Sequence, residues 1–259
     1  MIKFSLGLFL IFLGLVACAQ NKGEAVNALE YKEVVFQKSA CVGNDSTCAE
    51  VTMTYPEFSG ENELSTWVNL HIREQMMMYL TWGTDEKEPN SIEKAADQFL
   101  KEFIDYGNDF PESVHAWFNE GVGKVSVLEE GLLSIIFTNS SYTGGAHSNQ
   151  TILFLNFDLE EQKLLKNEDI ILDKERLLEL AEKAFREYHE VDPALGLEDD
   201  GRFFLNEGDF FLPAAIGYEK EELVLIYNSY EIGPYAMGQT EIRLPLSALK
   251  GIVRHIKKG

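Results

Sequence analysis

From residue 31 onward the spacing of hydrophobic positions changes several times along the chain, and each change marks an element. Residues 31–40 and 49–55 alternate apolar and polar side chains around a Gly-Asn-Asp-Ser loop, the pattern of a two-stranded hairpin. Leu64, Trp67, Val68, His71, Ile72, Met76, Tyr79 and Leu80 then recur on one face of a helix. The run Met76-Met77-Met78 falls inside that helix, where only one face can be buried, so it reads as packing and not as a thioether metal site. A second helix follows Pro89. Asn90 and Glu93 form its capping box, Ile92, Ala95, Ala96, Phe99, Leu100, Phe103 and Ile104 form its stripe, and Gly107 ends it. From Val114 the period becomes two, through 115–118, 124–128, 132–138 and 151–158, with glycine-bearing turns at Glu120-Gly121 and Glu130-Gly131. That pattern predicts an antiparallel meander. A third helix is expected over 174–188, with Asp173 as cap and Leu177, Leu180, Ala181, Ala184 and Phe185 facing inward. After the acidic, turn-rich stretch 191–208, strand patterning returns at 210–212, 223–230 and 240–244, and a short helix is expected within 246–253.

These elements give an α+β fold, with antiparallel β-sheet(s) flanked by about three helices. Neither an internal repeat nor a long low-complexity linker interrupts residues 31–256. The expected organisation is an N-terminal α+β part over 31–112 and a C-terminal α+β part over 113–259.

The first thirty residues set the compartment. Lys3 supplies one positive charge, and the apolar run 4–17 ends in Leu15-Val16-Ala17-Cys18. The run is shorter than the roughly twenty residues a spanning helix needs and has the length of a signal-peptide core. Leu-Val-Ala-Cys is the order cut and acylated in lipoprotein maturation, so residues 1–17 read as a signal peptide and Cys18 as the lipidated first residue. Each buried acyl methylene contributes about 0.8 kcal/mol, and several chains on one terminus hold a protein durably without a membrane-spanning helix. Residues 18–30 are mostly polar or small and suit a tether. The expectation is an exported bacterial protein that meets the membrane only through its N-terminal lipid. In a two-membrane cell the outer membrane is the expected site, since Ala19 stands where an aspartate would hold a lipoprotein at the inner membrane.

Charge narrows the partners. The chain has 22 Lys and Arg against 43 Asp and Glu, a net charge of −21. A polyanion repels nucleic acid, whereas a basic protein or a cationic ligand is drawn toward such a surface. Cys41 and Cys48 remain once Cys18 is assigned to lipid. In an oxidising compartment they are expected to pair as a structural disulfide across the hairpin, restricting the unfolded chain by roughly 2.5 kcal/mol in the entropy model.

No motif specifies a reaction. His189-Glu190 begins a His-Glu-x-x-His match, but Pro193 takes the closing position. Gly-x-Ser-x-Gly is absent from the sequence, and Ser141 and Ser148 near His147 have no identified acid. Glu198-Asp199-Asp200-Gly201 lacks the every-second-residue spacing of an EF-hand loop and reads as a solvated acidic loop. No metal or cofactor is therefore expected. The densest unusual chemistry lies in two runs. Tyr142, Thr143, Gly144, Gly145, His147 and Asn149 occupy the link between two buried strands, where adjacent glycines permit positive φ and the neighbours add polar groups. Tyr230 and Tyr235 flank Gly233-Pro234 in the second run, and tyrosines on a turn offer flat apolar faces with polar tips, suited to sugar or protein. The competing reading of both runs is a packed strand crossing or corner.

The same two runs carry a resemblance. Ser-Tyr-Thr-Gly-Gly-Ala-His at 141–147, Asn156-Phe157-Asp158, residues 210–212, Tyr-Glu-Ile-Gly-Pro-Tyr-Ala-Met-Gly at 230–238 and a terminal Leu-Pro-Leu-Ser-Ala-Leu resemble the extracellular domain shared by RsiV-type anti-sigma factors and the N-terminal region of PdaC-type peptidoglycan deacetylases. The resemblance spans roughly 31–253. It implies an α+β fold and an envelope binding module whose ligand, in the RsiV branch, is lysozyme, a basic protein. Only Met1 to Lys3 precede the apolar run, so direct control of a sigma factor is not expected. A separate deacetylase domain is not expected either. The leading expectation is thus a lipid-anchored envelope module that binds a lysozyme-like protein or cell-wall glycan. The alternative is an envelope hydrolase or esterase with His147 as base.

Overall fold

A computed structural model of the protein describes residues 29–43, 47–60, 62–81, 89–129 and 131–254. The expected signal peptide, Cys18 and all of the tether except Leu29 and Glu30 lie outside the described residues. Strands β1 (Tyr31–Val42) and β2 (Thr47–Phe58) form the expected hairpin, in which Cys41 and Cys48 face each other in register and are joined as a disulfide. Helices α1 (Glu63–Leu80) and α2 (Ile92–Asp109) follow, then β3 (Trp117–Glu129), β4 (Leu132–Tyr142), β5 (Asn149–Asp158) and the short β6 (Lys163–Leu165). The six strands make one sheet in sequence order. Every pairing in it is antiparallel except β2 with β3, which is parallel. A parallel pair needs a crossover, and the two helices supply it. Helices α3 (Asn167–Ile170), α4 (Lys174–Tyr188) and α5 (Leu197–Asp200) lead to a second, antiparallel sheet of β7 (Ala215–Glu219), β8 (Glu222–Tyr227) and β9 (Thr240–Pro245).

Alternation along the strands builds the layers. On β4, Leu133, Ile135 and Phe137 pack with Val68, Ile72, Met76, Phe99 and Phe103 of the helices, while Ile136 packs with Ala215, Val224 and Ile226 of the second sheet. On β8 the rule repeats: Val224 and Ile226 face the first sheet, and Leu223, Leu225 and Tyr227 pack with Leu177, Ala181 and Phe185 of α4. The order of layers is α1 and α2, the six-stranded sheet, the three-stranded sheet, and α4. Within the methionine run, Met76 is buried and Met78 is exposed, as its helical spacing predicts.

Several local expectations shift. Glu120-Gly121 is not a turn but the middle of β3, and a Cβ on Gly121 would come within 2.5 Å of the Met53 sulfur. Glycine is used there for close packing, which the sequence shows in the same letters as a turn. The N-cap of α2 is Ser91, whose hydroxyl accepts from the Lys94 N–H at 3.2 Å, while Asn90 Oδ1 accepts from the Lys94 ammonium. Gly107 does not end α2. It is buried inside the last turn, where a Cβ would lie 2.9 Å from Val42. Asp173 caps α4 as expected, accepting from Arg176 N–H at 3.0 Å. The expected strand at 210–212 is not a strand, although Phe210 is buried against Phe185 and Tyr227. The acidic loop contains the single-turn helix α5, closed by Gly201 at φ 72°. The expected helix near the C-terminus is one 3-10 turn, Leu246–Ala248.

The two sheets meet through polar contacts set among apolar ones. Ser126 donates to the Tyr218 carbonyl at 2.7 Å, and Ser134 donates to Asn156 Oδ1 at 2.7 Å. Asn156 in turn donates to the Ile216 carbonyl at 2.9 Å, and Tyr218 N–H donates to Ser134 Oγ at 3.3 Å. Ser134 and Asn156 are buried, so these bonds satisfy the edge of β7 that β8 does not pair. Replacing Asn156 with alanine would leave the Ile216 carbonyl and the Ser134 hydroxyl without this partner. Urea unfolding of Asn156→Ala is expected to show a loss of about 1–3 kcal/mol.

His189, the C-cap of α4, is half-buried. Its Nε2 lies 2.9 Å from Thr240 Oγ1, its ring sits 4.5 Å from Phe185 and 5.1 Å from Phe203, and its carbonyl accepts from Arg202. Burial, with the Arg202 charge adding to it, pushes the imidazole below its usual value, against a smaller opposing pull from Asp200. The unfolded chain takes up this proton near pH 6.5, where the folded protein still refuses it. The stability tied to His189 is therefore fully present above pH of about 6.5 and is lost as pH falls toward the lower folded value. Urea midpoints measured between pH 7 and pH 5 are expected to fall less steeply in His189→Gln than in the parent.

Candidate functional site

The link between β4 and β5, residues 143–148, and the link between β8 and β9, residues 228–239, lie far apart in sequence and meet in space. Asn228 brings them together: its amide takes the place of a strand partner for Ile152, accepting from the Ile152 N–H at 2.7 Å and donating to the Ile152 carbonyl at 2.9 Å. Gln239 Nε2 adds a bond to Asn228 Oδ1 at 3.2 Å. The chain then turns, with the Glu231 N–H bonded to the Asn228 carbonyl at 3.0 Å and the Glu231 carboxylate accepting from the backbone N–H groups of Asn228 and Ala214. This fixed corner carries Tyr230 and Tyr235.

Three of the expected residues form one aromatic cluster. His147 stacks on Tyr235, with ring centroids 3.7 Å apart and planes 15° from parallel. Tyr230 completes the group, 5.6 Å from the Tyr235 ring and 6.2 Å from the His147 ring. Tyr235 Oη donates to the Ser148 carbonyl at 3.1 Å, and His147 Nδ1 lies 2.9 Å from that same carbonyl. A carbonyl can only accept, so Nδ1 carries a proton and Nε2 of the neutral ring is the acceptor for Tyr230 Oη at 3.3 Å. Tyr230 and His147 are exposed and Tyr235 is half-buried.

The remaining expected residues support this cluster or border it. Tyr142 lies beside Phe118, and its hydroxyl donates to the Gly145 carbonyl at 3.0 Å, tying the loop back onto β4. Gly144 and Gly145 adopt φ of 102° and 106°, and a Cβ on either would meet nothing within 4 Å. Their role is backbone conformation, in the left-handed half of φ that glycine enters freely, and their backbone lies open to solvent. Thr143 is half-buried at the start of the loop; Asn149 is exposed at the start of β5, opposite Ser141. Neither partner of the His147 ring is a carboxylate or a serine hydroxyl. Ser148 offers its carbonyl, and Ser141 is buried within β4. Among the described residues no group of three or more His, Cys, Asp or Glu is placed to hold a metal ion.

Sequence reasoning did not single out Asn228, weighed Ser148 only for its hydroxyl and not for the carbonyl that orients the rings, and met Glu231 only as a member of the 230–238 motif. Asn228 did carry a signal, since it is the polar residue that ends the apolar run 223–227. Nothing along the chain marks Ile152 as its partner.

Two family models match different parts of the chain. Residues 42–150 match the family model described as deacetylase PdaC, and residues 164–247 match the model described as a protein of unknown function, DUF3298. No curated protein matches the chain. Among solved structures, a DUF3298 family member from Bacteroides fragilis superposes with a TM-score of 0.70 at 24% identity, covering 88% of this chain and 94% of that one. A DUF3298 family protein from Pseudomonas aeruginosa superposes with a TM-score of 0.66 at 20% identity, covering 87% and 94%. At these identities the likeness is one of fold. His147 comes from the first matched region and the two tyrosines from the second, so the cluster is built across both. The two matches are consistent with the domain family that the glycine-histidine and tyrosine-proline motifs of this chain resemble.

Proposed function

We propose that the protein is a cell-envelope binding module, held to the membrane by acyl chains on Cys18, whose ligand is a cell-wall glycan or a basic, lysozyme-like protein. The observation that carries this reading is the convergence of His147, Tyr230 and Tyr235 on one exposed surface, from loops fixed at their bases by Tyr142, Asn228 and Glu231. Rigid aromatic groups with polar tips bind at low entropic cost, because little side-chain freedom is left to lose. The imidazole is better placed as a member of this surface than as a base, since Nδ1 is committed to the Ser148 carbonyl and Nε2 to a phenol. The excess of acidic residues adds attraction for a basic protein, with the salt dependence that long-range charge brings.

The test uses the full chain in detergent micelles. Pull-down on insoluble peptidoglycan and titration with lysozyme at low and high salt are expected to show retention in at least one assay, and Gly145→Val is expected to weaken it by roughly tenfold through the lost positive φ. No retention in either assay would overturn the reading. So would turnover of peptidoglycan or an acyl ester that disappears in His147→Ala.

A further inference from the structure

Tyr230 stands where its residue type is costly. The turn closed by Glu231 N–H and the Asn228 carbonyl holds its third residue at φ 70°, a position that glycine or asparagine fills without steric penalty. A bulky aromatic there is an outlier, because the left-handed region brings Cβ against the backbone. Core packing does not account for the ring, since Tyr230 is 56% exposed. Its contacts are with Tyr235, at 5.6 Å between centroids, and with His147, at 6.2 Å, and the ring planes lie within 35° of parallel. The left-handed backbone therefore costs energy to set an exposed ring beside a second exposed ring. Strain of this kind persists where the surroundings enforce it, and here Glu231 enforces it through two backbone N–H groups.

Resting on the reading of this surface as a ligand site, we infer that Tyr230 and His147 form a stacking platform for the pyranose rings of a neutral amino-sugar glycan. A sugar ring presents a face of C–H groups that packs on aromatic π-faces, and hydroxyl or acetamido groups at its edge that seek polar partners. Both kinds of partner are present. The ring faces come from Tyr230 and from the side of His147 that Tyr235 does not cover, and polar groups come from the phenol of Tyr230 and from the exposed loop residues Gly144, Gly145 and Asn149 that flank His147 along the chain. Charge narrows the class, because a chain of net charge −21 disfavours polyanionic glycans and leaves neutral ones unopposed. A basic protein would also be attracted by that charge. Such a partner could also pack on the exposed tyrosine, and the experiment treats it as the competing outcome.

The probe is the β-1,4-linked tetramer of N-acetylglucosamine, titrated into the full chain in detergent micelles by calorimetry, with urea midpoints measured alongside. Tyr230→Phe keeps the ring and is expected to hold affinity within about threefold. Tyr230→Asn suits the turn but removes the ring, and it is expected to lose roughly tenfold or more with a midpoint equal to or above the parent. Tyr230→Gly serves as a second ring-free variant if the asparagine variant does not fold. Tetramer binding that survives loss of the ring would overturn the inference. So would loss of folding in both ring-free variants, which would assign the ring to structure. If the tetramer fails to bind while lysozyme or peptidoglycan is retained, the inference falls and the binding-module reading stands. If nothing is retained, both fall.

Discussion

The unpaired edge of β7 is the constraint on which the rest of the arrangement depends. An edge strand presents a row of backbone donors and acceptors, and burying that row against another sheet costs about 1–3 kcal/mol for each group left without a partner. Here Ser126, Ser134 and Asn156 reach across from the first sheet and supply the partners. The contact is also sterically exacting. A Cβ on Gly217 would fall 2.1 Å from the Phe154 ring, so β7 can lie this close only where it has no side chain. Polar bonds and close approach together leave one relative position of the two sheets. Arg254 fastens a further point, with its guanidinium on the nearly buried Asp158 carboxylate at 2.5 Å and its carbonyl accepting from Tyr218 Oη.

That fixed position is what makes a shared surface out of two loops. The β4–β5 link belongs to the first sheet and the β8–β9 link to the second, so any sliding between sheets would separate His147 from Tyr230 and Tyr235. Asn228 extends the clamp to the edge of the site by pairing with the Ile152 backbone. The aromatic cluster is thus the last consequence of contacts that begin with two serines and an asparagine in the middle of the sheets.

Some of this was legible along the chain. Asp173 followed by Leu177, Ala181 and Phe185 specifies α4 completely, because a local cap and a 3.6-residue period need no information from elsewhere. The hairpin with its cysteines is local in the same sense. Gly121 and Gly107 look like turn residues along the chain because glycine has one letter for two roles, positive φ and close approach, and only the neighbour decides between them. Here the neighbours are Met53 and Val42, distant in sequence. The parallel pairing of β2 with β3 was hidden for a related reason. Alternation shows which face of a strand is buried and is silent on which strand lies beside it. Ser134 and Asn156 show the same limit, as polar residues on the face of β4 and β5 whose meaning lies in β7. The two motifs of the site were visible as chemistry. That they meet on one surface was not, because their meeting is set by sheet packing.

The chemistry of His147 follows from the same geometry. An imidazole acts as a base when one nitrogen faces substrate or a nucleophile and the other is held by a group that stabilises the imidazolium, most effectively a carboxylate. In this protein the holding group is a neutral carbonyl, and the nitrogen that a nucleophile would need is bonded to Tyr230. The Ser148 carbonyl also accepts from Tyr235, so one acceptor orients two rings at once and sets them nearly parallel. A shared acceptor of this kind does little to promote proton transfer, yet it is an economical way to hold flat groups in a common plane. The bonds at this surface therefore orient ring faces, with His147 and Tyr235 held nearly parallel on a single shared acceptor.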